Sequence, residues 1–411
     1  MWLLSTIVIT EATHVTMAKR HQSGDHLISQ IRRCQEIIMA RTGVDEFYET
    51  IRLIIAKSLW EKTEKAECLS YDIAQDLLRN NKDVVERFVE GDALLCAPRE
   101  VSDECIRILT PTDLGDTPYE ALHTVFEQMT GKQYKSDKGQ YFTPPHVVDF
   151  CIAVLRPAAG ELICDPACGS GAFLKSAYDQ MPVTEHSTTF GFDISKRAAK
   201  TAALLSYLAC NDSVRVRQLD ALAVEPNSLY DPEGLSIEEC MRRYGVGFQG
   251  FDIIATNPPF AGDVSDADFL SYYETSKLAG GKVERDILFL ERCKNLLKPG
   301  GRLAIVLPDN KFSGAKFAGL RKWICKEMDI KAVVSLHSYT FRPFTSQKTC
   351  VLFAQRKSGV MSDSMVSFYR SDKAGKSSNG DPVFLDGTLD HDLGLIASEI
   401  IGEWKIEQSK S

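Results

Sequence analysis

The segment from Phe251 to Phe260 limits the possible folds of this chain more than any other part of the sequence. An apolar run ends at Thr256, and Asn257, two consecutive prolines and Phe260 follow it. Proline has no backbone N–H, so it cannot continue the hydrogen-bond ladder of a sheet. The segment therefore predicts a buried strand that ends in a rigid turn carrying a polar side chain.

Short apolar runs of the same kind recur after Gly131 and alternate with longer amphipathic stretches. This alternation is typical of βαβ units and a parallel sheet. We predict seven strands, at Leu162–Asp165, Thr188–Asp193, Val214–Leu219, Phe251–Thr256, Arg302–Leu307, Ile330–Ser335 and Thr349–Ala354. The fold class is therefore a doubly wound, Rossmann-like α/β domain, in which ligands bind at the carboxyl ends of the strands.

The sequence between His26 and Met129 has a different pattern, with apolar residues at helical spacing and little proline. A length of 411 residues favours two or three domains. We predict four segments: a flexible or misassigned tail over residues 1–24, a helical N-terminal domain over 25–132, the α/β domain over 133–356 and a C-terminal appendage over 357–411.

Net charge restricts how the chain could meet nucleic acid. The formal charge is −8, whereas a protein that coats nucleic acid by itself needs a local excess of Lys and Arg. DNA remains possible as a substrate if a local basic surface or a partner supplies the affinity. Phosphate contacts and ordinary solvated charges are equally compatible with five basic residues beyond the predicted strand ends, Lys311, Lys316, Arg321, Arg342 and Lys348.

Cysteine spacing and hydropathy argue against a metal site and a membrane span. The twelve cysteines form no CxxC pair, so we expect reduced thiols and no bound metal. The apolar run from Trp2 to Thr10 is far shorter than the roughly 20 residues that span a bilayer. We therefore expect a cytoplasmic protein with no membrane partner.

The turn after the first predicted strand reads D-P-A-C-G-S-G-A-F from Asp165 to Phe173. Glycines let the backbone approach a nucleotide-like ligand, and the following helix offers unsatisfied N–H groups to its polar atoms. The candidate cofactor-binding residues here are Asp165, Gly169, Ser170, Gly171 and Ala172. A plain strand-to-helix turn without a ligand is the alternative.

Acidic residues also follow the second and third predicted strands. Asp193, with Ile194 beside it, ends the second strand, where a carboxylate can accept hydrogen bonds from both hydroxyls of a ribose. Asp193 could instead cap the helix that starts near Ser195. Asp220 and Ala221 follow the third strand and could meet the adenine ring of the same cofactor, although a capping or loop role fits Asp220 nearly as well.

The turn from Asn257 to Phe260 carries the strongest chemical signal. The two prolines fix a backbone in which the amide oxygen of Asn257 and the carbonyl of Pro258 can converge on one amino group. Phe260 can then stack on a planar base. A turn that merely ends a strand would explain Pro258 and Pro259, but not the joint placement of an asparagine and an aromatic ring.

With these motifs in order, the sequence resembles amino-directed DNA methyltransferases, and particularly the modification subunit of type I restriction-modification systems. The resemblance covers roughly residues 133–356 and rests on the glycine turn, on N-P-P-F and on a segment before the first strand. That segment resembles the one that packs on the methionine part of the cofactor in this family, and its candidate residues are Gln140, Tyr141, Phe142, Thr143 and Pro144. This order of motifs matches the gamma arrangement of such enzymes.

The resemblance implies a class I methyltransferase domain that uses S-adenosyl-L-methionine without a metal. It implies transfer of a methyl group to N6 of an adenine flipped out of double-stranded DNA, with Asn257, Pro258, Pro259 and Phe260 as the catalytic residues. The implied partners are a specificity subunit, in an assembly of two modification subunits and one specificity subunit, and a separate restriction subunit.

Other interpretations of the same residues stay open at this point. A planar amine also occurs at cytosine N4, in RNA bases and in protein glutamine, and the glutamine-directed enzymes share an NPP-aromatic motif. They are not expected to carry the stretch from Gln140 to Pro144. A non-catalytic scaffold in a DNA-bound complex is the alternative from another class, and the intact N-P-P-F motif argues against it.

Overall fold

The structure is a computed structural model. It describes residues 11–63, 67–115, 119, 121–126, 142–181, 189–210, 213–224, 234–245, 247–278, 281–359 and 365–404. The chain divides into two compact units, Met1–Lys132 and Gln133–Ser411.

The first unit is helical. Its helices are α1 (Glu11–Arg41), α2 (Glu46–Glu61), α3 (Tyr71–Asn80), α4 (Lys82–Glu86) and α5 (Arg99–Leu109), and residues 121–126 are also helical. Asp45 starts α2 by accepting hydrogen bonds from two backbone N–H groups of its first turn. Residues 1–10 of the predicted tail lie outside the described residues. Residues 11–24 belong to α1, so the predicted boundary between tail and helical domain needs a correction.

The second unit contains an eight-stranded sheet. The strands along the chain are β1 (Ile163–Asp165), β2 (Thr189–Asp193), β3 (Val214–Gln218), β4 (Phe251–Thr256), β5 (Asp263–Val264), β6 (Val283–Glu284), β7 (Leu297–Pro308), β8 (Met328–Ser335), β9 (Thr349–Arg356), β10 (Ser367–Arg370), β11 (Phe384–Leu385) and β12 (Thr388–Leu389). The order in the main sheet is β10-β8-β9-β7-β4-β1-β2-β3. Among the described strands of the main sheet only β9 runs antiparallel to its neighbours, while β5–β6 and β11–β12 form two small hairpins.

Helices connect these strands. They are α6 (Pro145–Leu155), α7 (Ala172–Gln180), α8 (Lys196–Ala209), α9 (Ile237–Arg243), α10 (Ala267–Leu270), α11 (Arg285–Leu296), α12 (Asn310–Ser313), α13 (Ala318–Glu327) and α14 (Leu393–Glu403). Successive side chains of β4 enter different cores, as a strand requires. Ile254 packs with residues of α11 and α13, whereas Ile253 and Ala255 pack with residues of α6, α7 and α14. The sheet is therefore covered on both faces.

The predicted fold class is confirmed, because each of the seven predicted strands overlaps a strand of the main sheet. The largest difference is at β7, which begins at Leu297 rather than Arg302. Its pairing with β4 changes register between Phe251 and Ile253, so the Pro-Gly-Gly stretch of β7 forms an irregular start to the strand.

The C-terminal segment is not an appendage, and this prediction needs a correction. Its strand β10 pairs in parallel with β8 at the edge of the main sheet, and α14 contributes buried side chains to the same core as α6. The carbonyl of Trp404 accepts a hydrogen bond from Arg156 at 2.8 Å. The rings of His146 and His391 stack with centroids 5.1 Å apart, which joins the segment to the first turn of α6.

Candidate active site

Four neighbouring strands bring the predicted motifs to one edge of the sheet. In the order β4-β1-β2-β3 all pairs are parallel, so their carboxyl ends lie side by side. The residues that end or follow these strands are those of the glycine turn, Asp193, Asp220 and Asn257. This is the edge at which ligands bind in doubly wound folds.

The turn between β1 and α7 has a backbone that glycine adopts far more readily than other residues. Gly169 has a φ of +53° and Gly171 a φ of +92°. A Cβ at Gly171 would lie 3.3 Å from the Cβ of Ala202 in α8, whereas a Cβ at Gly169 would meet nothing within 4 Å. Ser170 is buried between them, and α7 begins at Ala172. The turn is therefore packed on one side and open at Gly169.

Asp193 holds this turn in place. Its Oδ2 accepts a hydrogen bond from the backbone N of Gly169 at 3.0 Å, and its Oδ1 accepts one from Ser195 at 2.8 Å. Burial raises the pKa of the Asp193 carboxyl to about 6. The cap of α8 is Ser195, whose hydroxyl accepts from the backbone N of Ala198. The alternative interpretation of Asp193 as the helix cap is therefore wrong.

Asp165 ties β1 to β4. Its Oδ1 accepts a hydrogen bond from the backbone N of Ala167 at 3.0 Å and another from the Thr256 hydroxyl at 2.7 Å. The Asp165 side chain is buried, and burial raises its pKa to about 7, although both hydrogen bonds favour the charged form. The residue immediately before the predicted catalytic motif is thus bonded to the start of the glycine turn.

The remaining candidate cofactor residues lie after β2 and β3. Ile194 keeps 38% of its surface exposed, which is high for a large apolar side chain beside a buried carboxylate. Asp220 accepts a hydrogen bond from the backbone N of Leu222 at 3.0 Å and so shapes its own turn. Ala221 is buried, and its carbonyl is a hydrogen-bond acceptor for Arg292.

Arg292 is a site residue that the sequence did not reveal. It lies on α11, is 1% exposed, and donates to the carbonyls of Ala221 at 2.8 Å and Ala223 at 3.2 Å. Its guanidinium also binds both carboxylate oxygens of Glu238 at 2.6 Å. An arginine on an amphipathic helix normally predicts a solvated side chain, so only the fold shows that it fixes the turn after β3.

Asn257 turns its side chain from the end of β4 towards the segment that precedes α6. Its Nδ2 donates a hydrogen bond to Oγ1 of Thr143 at 2.9 Å. Pro258 is buried and Pro259 is half-buried, so the backbone of the motif is held against the protein. Pro144 caps α6 and is also buried. The predicted cofactor segment and the predicted catalytic motif are therefore in direct contact.

Aromatic rings border this contact. Phe260 is 9% exposed and belongs to the core that contains α6, which leaves little of the ring for a base. Stacking of Phe260 on a base stays a prediction. Phe142 contacts Phe344 edge-on, with ring centroids 6.2 Å apart, and Phe344 is 44% exposed. Gln140 and Tyr141 lie outside the described residues.

One candidate phosphate contact is wrong. Lys311 is 1% exposed, because its ammonium lies 4.4 Å from the centre of the Phe317 ring and pairs with Glu284 and with Asp286, the latter at 3.1 Å. Burial raises the pKa of the Asp286 carboxyl to about 6. This buried cluster joins β6 and the start of α11 to α12, the short helix after β7.

Two other predicted phosphate contacts already have protein partners. Lys316 is exposed but binds Glu284 at 2.8 Å, and Arg321 donates to the carbonyls of Lys311 and Gly314. Within the described part of the chain, no group of three or more His, Cys, Asp or Glu side chains could hold a metal ion.

Comparison with known proteins decides the family. The family model described as N-6 DNA Methylase matches residues 111–384. The chain belongs to this family. Within the N-6 DNA methylases, the methylase subunit of the type I restriction enzyme EcoEI from Escherichia coli is 29% identical over 241 residues. That alignment covers 56% of this chain and 45% of the relative.

Solved structures show the same fold as this N-6 DNA methylase. A type I restriction-modification methyltransferase subunit from Streptococcus thermophilus aligns with a TM-score of 0.59 at 17% identity, covering 93% of this chain and 94% of that one. A chain from Listeria monocytogenes, described as a class I S-adenosylmethionine-dependent methyltransferase, aligns with a TM-score of 0.60 at 16% identity, covering 93% and 99%. The fold is therefore that of class I methyltransferases.

The alignments with curated relatives are partial. The chain spans about half the length of the curated methylase subunits that it matches. In the described residues, no helix is both long and apolar enough to cross a membrane.

Proposed function

We propose that this chain transfers a methyl group from S-adenosyl-L-methionine to N6 of adenine in duplex DNA, in the cytoplasm. The observation that carries the proposal is the position of Asn257 at the carboxyl end of β4. Its side chain donates to the Thr143 hydroxyl, and the residue before it, Thr256, is bonded to Asp165 at the carboxyl end of β1. A carboxamide and a rigid proline backbone at this edge can accept hydrogen bonds from a planar amine. The family match and the class I fold support the same reaction.

The residues of the glycine turn fit S-adenosyl-L-methionine. Gly169 is open at the start of α7, so a ligand can approach its backbone closely. Asp193 ends β2 with a carboxylate suited to ribose hydroxyls, and the exposed side chain of Ile194 offers an apolar surface to a ring. Asp220 and Ala221 would border the adenine of the cofactor. The bound cofactor supplies an activated methyl group on a sulfonium.

The chain's own groups would position the nucleophile. The Asn257 amide oxygen and the Pro258 carbonyl would accept hydrogen bonds from the adenine NH2, which directs the nitrogen lone pair towards the methyl donor. These contacts strengthen as the nitrogen becomes pyramidal, so they stabilise the transition state more than the ground state. Pro259 fixes the backbone, and the aromatic edge of Phe260 would limit movement of the base.

Extrusion of the target adenine from the duplex costs on the order of a few kcal/mol. The chain itself carries a net charge of −8. A partner with affinity for DNA would offset the cost of extruding the adenine. We therefore propose that the chain acts as the modification subunit of a type I restriction-modification complex, with two copies bound to one specificity subunit and a separate restriction subunit. The type I methylase subunits among its relatives support this assignment.

The proposal is tested by transfer of labelled methyl from S-adenosyl-L-methionine to duplex DNA, followed by nucleoside analysis. The full chain is assayed alone and with the product of any neighbouring specificity gene. We expect N6-methyladenine, which requires or is strongly stimulated by the partner. Label in N4-methylcytosine, in RNA or in protein glutamine would identify a different amine and contradict the proposal.

Asn257→Ala provides the matched variant. It should lose transfer while binding the cofactor with an unchanged Kd, because the side chain serves the acceptor amine. Asn295→Ala removes an exposed carboxamide on α11 and is the control that should keep full activity. Full methyl transfer by Asn257→Ala would show that the carboxamide is not part of the reaction.

A further inference from the structure

The contact between Thr143 and Asn257 suggests a role for Thr143 other than cofactor binding. The two residues are 114 positions apart, and the Nδ2–Oγ1 distance is 2.9 Å. Both residues are half-buried, so the hydrogen bond is partly shielded from water. The threonine lies on a segment stiffened by the two prolines that follow it, and α6 anchors that segment in the core.

A carboxamide has two chemically opposite ends. The oxygen accepts hydrogen bonds and the NH2 group donates them, while rotation by about 180° exchanges the two with little change in shape. An amine substrate needs the oxygen, because a second NH2 in its place would leave two donors facing each other. With Nδ2 bonded to the Thr143 hydroxyl, the carboxamide oxygen is directed away from Thr143, where it can accept from the amine.

The backbone of Asn257 is fixed separately from its side chain. Thr256, the preceding residue, is 0% exposed and bonded to Asp165, and Pro258 follows. These contacts set the Cα position but leave the carboxamide torsion undetermined. The hydrogen bond from Nδ2 to Thr143 restrains this torsion.

We propose that Thr143 is a positioning residue, which orients the carboxamide of Asn257 so that its oxygen faces the amine substrate. This inference rests on the proposed methyl transfer and assigns Thr143 a part in the chemical step. A hydrogen bond of this kind contributes about 0.5–1.5 kcal/mol, so its loss should lower the rate by roughly two- to tenfold.

The test compares Thr143→Val, which keeps the shape and removes the hydroxyl, with Thr143→Ser, which keeps the hydroxyl. We expect the valine variant to lose roughly two- to tenfold in single-turnover rate with a cofactor Kd close to wild type, and the serine variant to recover most of the rate. Thr63→Val, at an exposed position of the first unit, is the control. A valine variant that weakens cofactor binding and keeps its rate would overturn the proposal.

A second measurement reports on the contact without requiring activity. In protein labelled with 15N-asparagine, the side-chain NH2 signal of Asn257 is identified by its absence in Asn257→Ala. We expect its hydrogen exchange to be slowed in wild type and in Thr143→Ser, and faster in Thr143→Val. Unchanged exchange in the valine variant would refute the role of Thr143. Absence of methyl transfer by wild type would instead contradict the proposed function.

Discussion

The hydroxyl of Thr256 donates a 2.7 Å hydrogen bond to Oδ1 of Asp165, across 91 positions of sequence. Both side chains are buried, at 0% and 1% exposure. The bond joins the last residue of β4 to the last residue of β1, and these are the points where the proposed catalytic motif and the glycine turn begin. The two halves of the proposed site are thus coupled inside the sheet rather than through a ligand.

Thr256→Val should weaken both the fold and cofactor binding. The valine would leave Asp165 with the Ala167 N–H as its remaining described hydrogen-bond donor, and loss of a donor to a buried acceptor costs about 1–3 kcal/mol. Thermal unfolding and cofactor titration on the full chain measure the two effects. Thr256→Ser keeps the donor and should be close to wild type. An unchanged melting temperature for the valine variant would contradict the importance of this bond.

The local features of the site could be predicted from the sequence because each is encoded by neighbouring residues. The glycine turn needs a positive φ at Gly169 and Gly171, which glycine adopts most readily, and the prolines after Asn257 predict where β4 ends. The bond from Thr256 to Asp165 could not be predicted in this way. It depends on which strands become neighbours, and a threonine on a strand is equally typical of ordinary β structure.

The same reasoning explains the wrong prediction for Lys311 and why Arg292 was missed. Lys311 and Arg292 are charged residues, which sequence patterns assign to the surface, yet both are 1% exposed because the fold provides carboxylate or carbonyl partners. The strand β10 carries no continuous apolar run, and Phe368 on it is 73% exposed, as an edge strand allows. Neither a buried ion pair nor an edge strand is specified by local sequence.

Arg292→Met should destabilise the second unit. The methionine fills part of the volume, but the carbonyls of Ala221 and Ala223 lose a buried donor and Glu238 loses its described ion-pair partner. Removing one member of a buried pair costs about 3–5 kcal/mol, and partial exposure of Glu238 places this case at the lower end. Chemical denaturation measures the change.

Arg242→Met is the control for that substitution. It also removes an arginine, but the ion pair between Arg242 and Glu239 is largely exposed. The free energy of unfolding should therefore change by less than about 1 kcal/mol. Equal stability of the two variants would show that Arg292 does not support the turn after β3.

Cofactor affinity should depend on pH through Asp193. The pKa of this carboxyl is raised to about 6, so it holds its proton below that pH and loses it above. Ribose hydroxyls donate to the ionised form, so affinity should rise from pH 5 to pH 7 and then level off. At pH 5 about one tenth of the molecules carry the ionised group, which predicts roughly tenfold weaker binding. Calorimetric titration across this range measures it.

The contribution of Asp193 to folding stability changes with pH in the direction opposite to its effect on cofactor affinity. Its folded pKa exceeds the ordinary value of 3.8, so this contribution is fully present below pH 3.8 and is lost as the pH rises through about 6. Weaker binding at pH 5 is therefore not explained by unfolding caused by this group. Asp193→Asn should bind weakly at every pH and show a flatter profile. The same pH dependence in that variant would assign the titration to another group.

Alanine at Gly171 should lower the stability of the fold more than alanine at Gly169, the other glycine of the same turn. Both have positive φ, so alanine at either position costs about 1–2 kcal/mol in backbone strain. Gly171→Ala also places a methyl group 3.3 Å from the Cβ of Ala202, which tightens the packing of the turn against α8, whereas Gly169→Ala points into open space. Gly171→Ala should therefore unfold at the lower temperature.

Gly169→Ala should instead lose more cofactor affinity than its change in stability explains, because its methyl group occupies the side from which the ligand approaches. Melting temperatures and cofactor Kd values for both variants measure this, and the reverse order would mean that the cofactor does not approach the turn at Gly169.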